Sequence, residues 1–150
     1  MTIAQFVQEN NSMTNNVNGS CLCARVTFTV NNKFSQFYFC HCQQCRKITG
    51  SAHAANLFTA PENIHWHSGK EFIKRFEHPK RNFTKAFCTQ CGCAVPFITQ
   101  SGRALLVPAG SLDQVPEAKV SAHIFWRDRA PWYEDALKAR HCPDFDDPSG

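Results

Sequence analysis

The chain lacks any apolar run approaching the roughly 20 residues that a membrane-spanning helix requires. Near Met1 it also lacks a basic flank followed by an apolar stretch of roughly 7 to 15 residues, the mark of an export signal. The expectation is a soluble cytoplasmic protein with no membrane partner. An even cysteine count is missing too: nine cysteines leave one without a mate, and most stand in pairs or triplets. With no export signal, that clustering argues against a disulfide framework and for thiolate-bound metal in a reducing compartment. Strong charge is absent as well. The formal net charge is only +4 with a pI near 8.6, and any metal-bound thiolate lowers it, so nucleic acid is an unlikely partner. No solenoid-type repeat is present. The sequence does not specify an oligomeric state.

What is present is one domain's worth of core, 150 residues of which 43% are hydrophobic. Residues 1–18 are polar and rich in asparagine and read as a flexible N-terminal tail. From Arg25 the pattern alternates strictly, with Val26, Phe28 and Val30 on one face of a half-buried strand. Short runs rich in β-branched and aromatic residues follow: SQFYFC, AANLFTA, NIHWH, EFIKRFE, NFTKAF, AVPFIT and RALLVPAGSL. Turn residues such as Asn31-Asn32, Ser68-Gly69 and His78-Pro79 separate them. The fold class is mainly β. Only residues 130–139, with Pro131 early, Glu134 and Asp135 in the first turn and Lys138 late, read as a short C-terminal helix.

The cysteines form three groups, CLC, CHCQQC and CTQCGC. Residues at i and i+2 of a strand share a face, so Cys21 and Cys23 offer two sulfurs to one ion. Cys88 and Cys91 have zinc-knuckle spacing, with Gly92 permitting the left-handed bend that follows. Joined, these four make a closed structural site; Cys93 competes with Cys88 and Cys91 for a place in it. Cys40, Cys42 and Cys45 can converge on a second ion with no distant partner, which leaves one position open to a substrate. A fourth protein ligand closing that site, or three buried thiols holding nothing, are the alternatives. His41 points to the opposite strand face and is a poor fourth ligand, while His53 and His123 are candidate outer-shell donors. Cys142 has no cysteine nearby. Arg46 and Lys47, next to the third ligand, are candidates to bind a substrate carboxylate, and Ser51 a candidate hydrogen-bond donor.

GSCLC with RVTF, CHCQQCRKITGS, FCTQCGC, AGSLD, HIF, PW and a final PDF occur here in one order between Gly19 and Phe145. That series resembles the glutathione-dependent formaldehyde-activating enzyme family, which also contains centromere protein V. The resemblance implies a small, tent-like, mainly β domain over residues 19–147 with two Zn2+ sites. It implies that Cys21, Cys23, Cys88 and Cys91 are structural and that Cys40, Cys42 and Cys45 are catalytic. The implied reaction joins a small-molecule thiol such as glutathione to formaldehyde or a related small aldehyde, formally a carbon-sulfur lyase reaction in reverse. Ala24 stands where the family usually has glycine. The segment FEHPKRNFTKAFC lacks the tyrosine and the paired serines followed by arginine that the family commonly carries there.

Two other classes of function remain in view. One is a zinc-stabilised module that binds protein or nucleic acid, with Lys74, Arg75, Lys80, Arg81 and Lys85 as a basic patch interrupted by Glu77. The other is metal carriage or thiol redox sensing through labile thiolates.

Overall fold

The computed structural model describes residues 15–146. Val26, Phe28 and Val30 turn inward as their alternation requires and are buried. The last two lie on β2 (Thr27–Asn31), the middle strand of an antiparallel sheet between β1 (Asn16–Ser20) and a strand at Ile64–Ser68. Asn16, Val17 and Asn18, assigned to the tail on composition, pair with Asn31, Val30 and Thr29 and so open the domain. Residues 1–14 of that expected tail lie outside the described residues.

A second sheet contains β3 (Gln36–Cys40), β4 (Ala54–Thr59), and strands at Phe97–Ile98, Leu105–Pro108 and Ala122–Ile124. In chain order the remaining strands are β5 (Ile64–Ser68), β6 (Ile73–Glu77), β7 (Thr84–Cys88), β8 (Phe97–Ile98), β9 (Leu105–Pro108) and β10 (Ala122–Ile124). The second sheet runs β10-β3-β4-β9-β8, antiparallel except that β10 lies parallel to β3; β6 and β7 form a separate hairpin. Val17, Phe28 and Val30 of the first sheet pack against Leu57, Leu105 and Val107 of the second. Burying such side chains stabilises the fold by about 1.5–3 kcal/mol each. Phe28 meets Trp66 edge-on at 5.5 Å, adding an aromatic pair to that interface.

Each run expected to be a strand contains one, and the protein is mainly β. Besides β1, three elements differ from the sequence reading. A helix, α1 (Gln43–Thr49), absent from the sequence reading, follows β3, so Cys42 caps a helix and Cys45 lies in its first turn. The C-terminal helix is confined to α2 (Tyr133–Ala136), because Pro131 stands ahead of its cap and only isolated turn bonds continue to Ala139. Strand β10 escaped notice because three residues carry no period; its partner β3 is remote in sequence.

The chain bends twice beside the first cysteine pair. Gly69 has φ +82, and a Cβ there would collide with the Arg25 carbonyl. Ala24 adopts φ 62, the left-handed region that glycine enters without strain.

Candidate metal centres

Cys21 follows the end of β1 and Cys88 ends β7. The Ala24 bend returns the chain so that the Ala24 N–H donates to the Cys21 carbonyl and the Val26 N–H to Cys21 Sγ at 3.3 Å. On the other side, Gly92 at φ 75 donates its N–H to the Cys88 carbonyl. These two turns bring the sulfurs of Cys21, Cys23, Cys88 and Cys91 within 4.8 Å of one another. Cys21 and Cys23 are separated by 3.5 Å, and Cys23 and Cys88 by 3.9 Å. Four thiolates on a tetrahedral zinc stand about 3.8 Å apart, so this donor set fits the ion. Cys93 stays outside the group, and its Sγ faces the Ala94 carbonyl at 3.3 Å. The backbone N–H of Cys93 holds the Cys91 thiol down at about 6, the direction a metal ligand needs.

The second group sits where β3 passes into α1. Cys40 is the last residue of β3, Cys42 is the helix cap, and the Cys45 N–H donates to Cys42 Sγ at 3.4 Å. Their three sulfurs lie within 4.8 Å of one another, and among the described residues no fourth histidine, cysteine or carboxylate joins the set. Cys40 is held down at about 6, chiefly by the Cys45 thiol donating to it, while the same contact and burial push Cys45 up. Crowded thiols share their protons in this way until a cation replaces them. The three sulfurs therefore also fit a zinc ion.

His41 lies between two of these cysteines and points away from them, fully buried. Its Nε2 meets His123 Nδ1 at 2.8 Å, and its ring packs on Trp126 and Tyr133 at 5.1 and 4.8 Å. His53 stacks on Phe39 at 4.2 Å and bonds the Ala54 carbonyl through Nδ1. Burial, followed by His53, His123 and Arg129, lowers the pKa of His41.

Cys45 opens onto a cleft of about 220 Å³ whose wall includes Asn56, Phe83, Thr84 and Gln100. A smaller adjoining recess adds Lys85, whose pKa is lowered by desolvation. The Thr84 hydroxyl is buried without a hydrogen-bond partner. Of the residues expected to bind substrate, Arg46 donates from Nη1 to the Asp128 carbonyl at 2.8 Å, Lys47 lines a separate outer groove, and Ser51 is exposed beyond the end of α1. The three do not share a site. Sequence reasoning missed Asn56, Phe83 and Thr84; the available signal was a threonine in the inward phase of NFTKAF, with buried Ala86 and Cys88.

The family model for the glutathione-dependent formaldehyde-activating enzyme matches residues 16–128. The chain belongs to this family. The match opens with β1 and closes with the short 3-10 turn Trp126–Asp128, so it takes in both cysteine groups and leaves out PW and PDF. A crystal structure of a Rhodobacter sphaeroides protein is similar in fold, with 22% identity and a TM-score of 0.56 over 70% of this chain and 98% of that one. Among curated proteins no match is found. No helix among the described residues is long and apolar enough to cross a membrane.

Proposed function

We propose that the protein is a zinc-dependent, cytoplasmic carbon-sulfur lyase of the formaldehyde-activating family, condensing a thiol such as glutathione with formaldehyde or a related small aldehyde. In this reading Cys21, Cys23, Cys88 and Cys91 hold a structural ion. The observation that carries the reading is the contrast between those four converging sulfurs and the three of Cys40, Cys42 and Cys45, which meet beside a cleft.

When bound by these three, zinc supplies a vacant coordination position for a thiol or an aldehyde oxygen. The chain's own residues do the rest. Cys40 is fixed by strand pairing and Cys42 by capping the helix, and Cys45, which would hold the ion with them, lines the cleft. Lys85 lines the recess beside Cys45 and offers a positive charge suited to the charge developing on the aldehyde oxygen, and the adjacent Thr84 hydroxyl is buried without a partner. The thiol sulfur forms a bond to the carbonyl carbon, the carbon-oxygen π pair moves to oxygen, and the proton lost from sulfur ends on that oxygen. Phe83, packed on Cys40, Cys45 and Ala54, limits water on one side.

Two of the five basic residues considered for nucleic acid are engaged within the domain. Arg75 pairs with Glu77 at 2.9 Å and donates to the Ile98 carbonyl, and Lys85 lines the recess. The experiment is to mix zinc-loaded protein with glutathione and formaldehyde and follow adduct formation by exchange NMR. A rate above the spontaneous one that Cys42→Ala removes supports the reading; a spontaneous rate in both proteins, repeated with other small thiols, overturns it.

A further inference from the structure

On the outer side of α1 lies a groove of about 260 Å³ between that helix and the β6–β7 hairpin. Its floor is apolar: Ile48, Phe76 and Phe83 face one another across it. Ile48 is 40% exposed and Phe76 41%, a large apolar area for two residues this close to a charged rim. The rim consists of Lys47, His78 and Arg81, with no carboxylate in the lining. Arg81 is held in place by donating from Nη1 to Gln44 Oε1 at 3.2 Å. His78 Nδ1 accepts the Lys80 N–H at 3.1 Å, so Nε2 carries the ring proton and donates even when the imidazole is neutral. Three donors of positive or neutral charge thus surround an apolar floor.

The groove is not isolated from the second cysteine group. Phe83 and Ile48 wall both it and the recess beside Cys45, and Ile48 follows Cys45 by one turn of α1. An extended molecule whose sulfur sits at the open vertex reaches the groove by passing these two side chains.

We propose that this groove binds the carboxylate-bearing apolar tail of the thiol substrate, a specificity that rests on the thiol-binding reading above. The chemical class is an ω-sulfanyl carboxylic acid with an alkyl or aryl body. Glutathione is a poorer fit, because it brings an ammonium group and few apolar atoms to a floor of isoleucine and phenylalanine. Lys47 thereby receives a carboxylate, as sequence reasoning expected, in partnership with Arg81 and His78 instead of Arg46.

Two probes separate the groove from the metal centre. The first is 4-phenylbutyrate, which has no thiol, compared with its neutral amide by amide-resolved NMR titration of the zinc-loaded protein. The expected result is chemical-shift change at Lys47, Ile48, Phe76 and Arg81, with the acid binding about tenfold more tightly than the amide and the Lys47→Gln/Arg81→Gln variant erasing the difference. The second is the cobalt-substituted protein titrated with 6-sulfanylhexanoate and with 6-sulfanylhexan-1-ol, read by the thiolate-to-cobalt absorption. The acid should half-saturate at about a tenth of the alcohol's concentration, and the same variant should make the two equal. Equal affinities for acid and neutral partner with both probes, alongside a normal thiol response of the cobalt spectrum, overturn the groove and leave the metal reading standing. Discrimination with 4-phenylbutyrate while no thiol perturbs the cobalt spectrum supports the groove as a carboxylate site and overturns the metal reading instead.

Discussion

His41 Nε2 and His123 Nδ1 lie 2.8 Å apart, and beside this contact the His41 N–H donates to the Ile124 carbonyl. The residue between Cys40 and Cys42 is thereby tied to β10 through both its side chain and its backbone. Because His41 is fully buried, protonation is harder in the folded state than in the unfolded chain, whose histidines titrate near 6.5. As pH falls below that value the unfolded state binds more protons, so this contribution to stability is present above about 6.5 and is lost through the lower folded pKa. Urea unfolding of zinc-loaded protein should show stability declining from about pH 7 to about pH 5.5, with a shallower decline in His41→Phe. An identical slope in the two proteins would assign the acid sensitivity elsewhere.

Thr84 offers a test whose two readouts move in opposite directions. Its hydroxyl is buried without a partner, and such a group costs about 1–3 kcal/mol. Thr84→Val should raise the unfolding free energy by about 1 kcal/mol while lowering kcat/KM about tenfold. Loss of both stability and activity would mean that the hydroxyl serves the fold.

Removing single sulfurs should separate the two centres. Cys42→Ala should leave one zinc per chain by elemental analysis and a thermal midpoint close to that of the parent. Cys88→Ala, which opens the set that links the β1–β2 turn to the end of β7, should cost several kcal/mol, since zinc binding in small domains carries folding energy on the order of 10 kcal/mol. Equal destabilisation by the two substitutions would contradict the division of roles. Metal uptake by the second group should also weaken steeply as pH falls through about 6, where Cys40 takes up a proton in addition to that on Cys45.

Ala24→Gly should stabilise the protein by about 1 kcal/mol, measured by chemical denaturation, because Ala24 occupies a left-handed conformation at φ 62 that costs an L side chain roughly that much. A destabilised variant would show that the methyl group's packing outweighs the strain.

Much of this arrangement was readable before folding was considered. Alternation exposed Val26, Phe28 and Val30 as a buried strand face because period two survives wherever one face meets a core. Knuckle spacing paired Cys88 with Cys91 through local geometry alone. Helix α1 was hidden, since in a seven-residue element only Cys45 is buried and no apolar stripe forms. Thr84 and Phe83 were hidden for another reason: the cleft they line is assembled by α1, β4, β7 and β9, and no local pattern encodes that meeting. The side on which Arg46 lies was hidden too, because adjacency in sequence to Cys45 says nothing of which side of a helix a side chain takes; its guanidinium donates to the Asp128 carbonyl.

The parallel pairing of β10 with β3 also bears on how the chain matures on the ribosome. Every sulfur of the quartet has been synthesised once Cys91 is joined to the chain, whereas Cys40 and His41 await a neighbour strand that ends only at Ile124. Translation thereby orders the two groups in time: the end of β3 gains its last backbone partner only after Ile124 has been made, later than the final sulfur of the quartet.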